Sequence, residues 1–142
     1  MQTVRDIMTT NVEFCTPLDN IYEVAVKMKD LNVGAIPICE DDKLIGMITD
    51  RDLVVRGYAE KHSGSFEVTK VMSDHLITVK PDTSLEEASR IMSEKQIRRL
   101  PVVENGQLVG IVALGDLAVN QMSDESAGHA LSEISEPTHP TH

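Results

Sequence analysis

The segment Gly46-Met47-Ile48-Thr49-Asp50-Arg51-Asp52 sets a hydroxyl and a carboxylate three residues apart at a predicted strand-to-helix turn. Thr49 falls at the strand end and Asp52 in the first helical turn, on the same side of the turn. A carboxylate there can accept two hydrogen bonds from a cis-diol such as the 2′ and 3′ hydroxyls of ribose. Charge-assisted bonds of this kind are worth roughly 1.5–3 kcal/mol. The threonine hydroxyl and the helix N-terminal amides suit a phosphate. The same spacing also describes a helix start with no ligand, because the macrodipole favours a carboxylate there. Asp116 stands at the matching place later in the chain.

Ile97-Arg98-Arg99-Leu100-Pro101 sets two arginines immediately before an apolar run. The forked guanidinium suits phosphate. A solvated strand entrance accounts for the pair equally well. No enzyme constellation accompanies these features. Neither a serine nor a cysteine has a histidine at a recognisable spacing. His62, His75 and His129 are isolated and lack a metal-ligand pattern. Cys15 and Cys39 form no CxxC and read as small buried thiols in a reducing cytosol. The sequence offers positions to hold a ligand and little to transform one.

The elements that must position these residues occur twice. Adding 64 to a residue number in the first part gives its counterpart: Met8 and Met72, Pro17 and Pro81, Glu23 and Glu87, Pro37 and Pro101, Gly46 and Gly110, Asp52 and Asp116. Each copy reads as β-α-β-β-α. Pro17 and Pro81 close a short extended segment. Asn20 in one copy, and Thr83 or Ser84 in the other, can cap the helix that follows. Apolar residues recur there at helical spacing, Ile21, Val24, Ala25, Met28 and Leu31 against Leu85, Ala88, Ile91 and Met92. Strands are predicted over Ala35–Cys39 and Leu44–Thr49, and over Leu100–Val103 and Leu108–Ala113. Asp41-Asp42 and Asn105-Gly106 form the turns between them. Gly46 and Gly110, inside strands, imply a bulge or a close backbone approach. Second helices start near Asp50 and Leu114.

The fold class is therefore α/β, tandem βαββα repeats. The division is a first repeat over 1–58, a linker over 59–66, a second repeat over 67–122 and a partly disordered C-terminal extension over 123–142. Ala130, Leu131 and Ile134 could form a short helix in that extension, and His139 and His142 read as polar tail. A repeat of about 60 residues is small for an independent core. The two are expected to pack sheet against sheet about a pseudo-twofold axis.

The chain carries 41% apolar and 25% charged residues, which suits a globular domain that buries a core. A net charge of −10 repels a phosphate backbone, and an aromatic content of 3% leaves few stacking platforms. No nucleic acid partner is expected. The absence of an apolar run of spanning length excludes a membrane helix, and the expected location is cytoplasmic.

On the doubled apolar-Met start, the Pro and Glu-Ala positions, the apolar-Pro strand and Gly-x-x-Thr-x-x-Asp, the stretch from Thr3 to Met122 resembles a cystathionine-β-synthase (CBS) domain pair, also called a Bateman module. The resemblance implies a regulatory, non-enzymatic module. It would bind AMP, ADP, ATP, S-adenosylmethionine or a related adenosyl ligand in two clefts and require no cofactor. Carried over residue by residue, the first cleft takes Thr49 and Asp52 with Ile77, Thr78, Arg98 and Arg99. The second takes Asp116 with Phe14, Gly34 and Ala35. Ala113 replaces the hydroxyl residue and no arginine precedes Pro37, so the second cleft loses its phosphate contacts and the two sites are expected to be unequal. The resemblance also implies a homodimer that signals to an unidentified partner protein. The expected dimer face is Leu53, Val54, Val55, Leu117, Ala118 and Val119. The alternative function is a ligand-independent dimerisation or scaffold module.

Overall fold

The computed structural model describes residues 2–120. The extension over 123–142, with its expected helix and histidines, lies outside the described residues. The repeat register holds in the fold. Helix α1 (Ile21–Leu31) and strands β1 (Ala35–Glu40) and β2 (Lys43–Thr49) recur 64 residues on as α3 (Leu85–Lys95), β3 (Arg99–Glu104) and β4 (Gln107–Ala113). A short helix α2 (Asp50–Asp52) follows β2, and α4 (Leu114–Asn120) follows β4. In the first repeat the helix continues past α2 as a π turn over Leu53–Gly57 and a 3-10 turn over Tyr58–Glu60.

Local chemistry explains the element ends. Asn20 caps α1, its Oδ1 accepting from the Glu23 amide at 2.8 Å while Glu23 Oε1 accepts from the Asn20 amide at 2.9 Å. Of the two candidates in the second repeat, Ser84 is the cap, accepting from the Glu87 amide at 3.0 Å. Both helices end on a left-handed residue, Asn32 and Gln96. The hairpin turns use left-handed pairs, Asp41 and Asp42 with φ of 53° and 67°, and Asn105 and Gly106 with 55° and 81°. Two positive φ values in a two-residue loop match the strand twist. Each strand is one residue longer than expected at the turn side. β1 pairs antiparallel with β2, and the register shift beside Ile38 leaves Ile45 as the extra residue of a bulge next to Gly46.

The chain forms two compact units whose boundaries cut across the repeats. The first-repeat unit holds 13–76 with 106–108, and the second-repeat unit holds 2–12, 77–105 and the chain from 109. The expected division at 58 and 67 follows the sequence repeat, whereas packing exchanges the lead segments. Val4, in a 3-10 turn over Val4–Asp6, is fully buried in a core with Leu85, Ala88, Met92, Leu100, Val102, Val112 and Leu117. Its counterpart Val68, in the turn Val68–Lys70, is fully buried with Ile21, Val24, Met28, Ile36, Ile38 and Ile48. Neither core is complete without a turn from the far side of the sequence boundary. Buried aliphatic surface at about 25 cal/mol per Å² makes these exchanged valines part of each unit's stability.

The strand glycines serve this exchange. A Cβ on Gly110 would stand 2.6 Å from Met8 Sδ and 3.0 Å from the Thr9 carbonyl oxygen. A Cβ on Gly46 would overlap Met72 Sδ. The approaching segments bridge to the same strands, Thr9 with Ile111 and Met47 with Ser73. Cys15 and Cys39 are both buried at 2% exposure and unbridged, as expected. The expected linker 59–66 folds back on α1: the Ile21 and Tyr22 amides donate to the carbonyls of Phe66 and Gly64, and His62 stacks on Phe66 with centroids 3.6 Å apart.

Candidate functional site

In the first-repeat unit the chain leaves β2 through a reciprocal cap. The Asp52 amide donates to Thr49 Oγ1 at 3.1 Å, and the Thr49 amide donates to Asp52 Oδ2 at 2.9 Å. Thr49 and Asp52 are half-buried. Thr-x-x-Asp is thus a capping box before it is anything else. The box uses one carboxylate oxygen and one lone pair of the hydroxyl. Asp52 Oδ1 and the Thr49 hydroxyl proton stay available to a ligand. The sequence signal for this cap, a threonine three residues before an acid and an apolar run, was present and pointed to a helix start.

Gly34 and Ala35 lie at the same strand end, Ala35 opposite Thr49 in the β1–β2 register. The Asp50 amide donates to the Gly34 carbonyl at 2.9 Å. Asp50 is exposed; its Oδ1 accepts from the Arg51 amide at 2.8 Å, and its Oδ2 lies 3.1 Å from the point where a Cβ on Gly34 would stand. Sequence reasoning missed this contact, which depends on the register of β1 against β2. Phe14, at the edge of exposure, precedes Cys15, which bridges in parallel to Ile38 of β1. The Phe14 carbonyl accepts from Lys27 Nζ at 3.2 Å.

The second-repeat unit builds the equivalent end with other side chains. The Leu114 amide donates to the Arg98 carbonyl at 2.8 Å, the counterpart of the Asp50–Gly34 bond. Arg98 precedes β3 and Arg99 begins it; both side chains are exposed and form no ion pair among the described residues. Arg90, by contrast, is held by Glu87 and Glu94. Exposed Ile77 and Thr78 precede Val79, whose parallel bridge to Val102 matches that of Cys15 and Ile38. Ala113 has no hydroxyl, so no capping box forms. Half-buried Asp116 has no hydrogen-bond or ion-pair partner among the described residues. Among the described residues nothing takes up either of its carboxylate oxygens.

The structure thus groups Phe14, Gly34, Ala35, Thr49 and Asp52 in one unit, and Ile77, Thr78, Arg98, Arg99 and Asp116 in the other. Each expected cleft set draws on both. One expected surface residue is corrected. Leu117 is fully buried in the second-repeat core, because it follows buried Leu114 by three residues and shares its face. Leu53 packs partly against the other core. Val54, Val55, Tyr58 and Val119 remain exposed. Among the described residues, no three His, Cys, Asp or Glu side chains gather as metal ligands, and no helix is long and apolar enough to cross a membrane.

A twice-built strand end, capped by threonine in one repeat and uncapped at alanine in the other, with a carboxylate three residues on in both, defines a tandem-repeat α/β protein. The family model "CBS domain" matches residues 4–57 and 68–122, and the chain belongs to that family. It is 54% identical over 135 residues to CBS domain-containing protein YhcV of Bacillus subtilis, covering 95% of this chain and 96% of that one. It is 49% identical over 138 residues to uncharacterized protein YlbB of the same organism, covering 96% and 93%. Inosine-5′-monophosphate dehydrogenase of Staphylococcus epidermidis is 38% identical over 112 residues, 76% of this chain but only 22% of that enzyme.

Solved structures agree. Hypoxic Response Protein I, solved with two coordinated zinc ions, superposes with a TM-score of 0.77 at 36% identity, covering 84% of this chain and 99% of that one. CBSX2 in complex with AMP gives 0.75 at 28%, covering 87% and 100%. The CBS pair of protein MJ0100, in complex with 5′-methylthioadenosine and S-adenosyl-L-methionine, gives 0.74 at 25%, covering 87% and 98%.

Proposed function

We propose that this CBS pair is a regulatory sensor that holds an adenosyl ligand at its strand ends and signals its occupancy to a partner protein. The carrying observation is the half-buried Asp52 carboxylate, fixed by its cap with one oxygen left over, in a fold whose relatives are solved with AMP and with S-adenosylmethionine. Ribose hydroxyls go to that oxygen. Arg98 and Arg99 meet a phosphate, while Ile77 and Thr78 line the nucleoside. Asp116, with Phe14, Gly34 and Ala35, forms the second and weaker site, which has no cap hydroxyl. No reaction is assigned: the dehydrogenase relative shares only a fifth of its length, and the strand ends hold no activated nucleophile. The protein acts in the cytoplasm as a homodimer through Val54, Val55, Tyr58 and Val119, whose exposure also favours a second reading as a ligand-independent dimerisation module.

Thermal unfolding with AMP, ADP, ATP, 5′-methylthioadenosine and S-adenosylmethionine separates the readings. A ligand that binds only the folded state raises the midpoint as its concentration rises. A midpoint indifferent to all five, with a dimer in sedimentation, leaves the dimerisation reading standing.

A further inference from the structure

The same backbone hydrogen bond closes both strand ends, from the Asp50 amide to the Gly34 carbonyl and from the Leu114 amide to the Arg98 carbonyl. The side chains on the two bonds are inverted in charge. One bond carries a glycine and an exposed carboxylate; the other carries an exposed guanidinium and a leucine at 4% exposure. Asp50 Oδ2 is turned onto Gly34, and Oδ1 is held by the Arg51 amide. A side chain on Gly34 would meet that carboxylate, so the glycine leaves room for it. Where the second repeat offers a cation to a ligand from one side of this bond, the first offers an anion from the other side of the equivalent bond.

We infer that Asp50 is a specificity-determining residue that makes the Gly34 site reject phosphorylated adenosines and accept adenosyl compounds with a neutral or cationic tail. The inference rests on the proposed adenosyl reading and adds the sign of the ligand's tail. A phosphate approaching Gly34 meets a fixed carboxylate with no paired cation among the described residues. A sulfonium tail meets an attractive charge. At separations of about 6 Å and effective dielectric constants between protein and water values, one such charge changes affinity by about tenfold. The carboxylate is not needed to close the strand end, because the backbone bond forms in the second repeat with leucine there.

The test is calorimetric titration of the full chain with AMP, 5′-methylthioadenosine and S-adenosylmethionine, in wild type, Asp50→Asn and Arg98→Ala. Asp50→Asn keeps an oxygen for the Arg51 amide and removes the charge. The inference expects this variant to gain about tenfold in AMP affinity at one site and to lose a similar factor for S-adenosylmethionine, with 5′-methylthioadenosine little changed. Arg98→Ala should weaken AMP alone, at the other site. If Asp50→Asn changes no affinity while Arg98→Ala weakens AMP, the role of Asp50 is wrong and the adenosyl reading survives. If wild type and both variants bind none of the three, and ADP and ATP also leave the thermal midpoint unmoved, both fail. Circular dichroism melting of Asp50→Asn confirms that the helix start is intact.

Discussion

Asp52 performs two tasks that substitution can separate. Its carboxylate accepts from the Thr49 amide at 2.9 Å, so Asp52→Ala leaves a half-buried strand-end amide without that partner. Loss of a helix-start cap costs about 1 kcal/mol, and loss of a first-turn charge adds about 0.3–1 kcal/mol. Asp52→Ala should therefore lower unfolding free energy by roughly 1–2 kcal/mol. Asp52→Asn keeps an oxygen for the amide and should lose only the smaller, electrostatic part. Ligand binding responds differently. A hydroxyl bond to an ionised carboxylate is worth roughly 1.5–3 kcal/mol, and both variants remove the charge, so both should weaken adenosyl binding by about tenfold or more. Asp116 has no cap to lose, so Asp116→Ala should cost little stability. Urea titrations give the stabilities, and titration calorimetry gives the affinities. Equal stability loss in Asp52→Ala and Asp116→Ala would refute the capping argument. Wild-type adenosyl affinity in Asp52→Asn would refute the ribose assignment, whatever the stability.

Gly110→Ala should destabilise by about 1–3 kcal/mol because the added carbon meets the Thr9 carbonyl at 3.0 Å as well as Met8, whereas the nearest atoms to the carbon added in Gly46→Ala all belong to the flexible Met72 side chain, so that variant should cost less. Equal urea midpoints for the two variants would contradict that difference. Ser89, buried at 3% exposure, has an Oγ with no hydrogen-bond partner among the described residues and occupies the place of Ala25 in the first repeat; Ser89→Ala should stabilise by about 1 kcal/mol, and a lower melting temperature would show that the hydroxyl is satisfied in solution. Burial, reinforced by Asp19 at Cys15 and Asp42 at Cys39, pushes both thiols from 9.0 up to about 11. The folded-state values lie above the unfolded ones, so this stability is complete below about pH 9 and lost as pH rises through 11, and the urea midpoint should fall over that interval less steeply in the Cys15→Ala/Cys39→Ala variant. Parallel pH profiles would remove the thiols from the account.

Elements set by local signals were legible. The 64-residue register, the Asn20 cap, the left-handed turn pairs and the continuous burial of the apolar runs in β1 and β3 all follow from residues close in sequence. Thr49 and Asp52 were legible as a pair, though their first role, a reciprocal cap, was subordinate to a ligand in the sequence reading. Exchange of Val4 and Val68 between the cores was not legible, because equivalent valines suit either core and nothing local distinguishes them. Leu117 was misplaced for a related reason: an apolar run Leu-Ala-Val carries no mark of which member faces inward until the helix phase set by Leu114 is known. The Asp50–Gly34 contact required the strand register, which the bulge at Ile45 shifts by one residue.

Duplication makes each repeat a control for the other. The backbone at the two strand ends has been kept to within 0.1 Å in its closing hydrogen bond, 2.9 Å against 2.8 Å, while the side chains upon it have changed in charge and size. Fold requirements therefore do not explain those side chains; a fold that closes with Leu114 does not need Asp50, and one that closes with Gly34 does not need Arg98. Thr49 differs in kind from these, since its hydroxyl accepts the Asp52 amide and Ala113 shows what the helix start becomes without it, an unlinked Asp116. The residues whose side chains neither enter a core nor close the strand end, Asp50, Arg98 and Arg99, are the ones on which selection for ligand charge could act without cost to the core. That argument orders the experiments: substitutions at Asp50 and Arg98 should move affinity with little change in stability, and substitutions at Thr49 should move both.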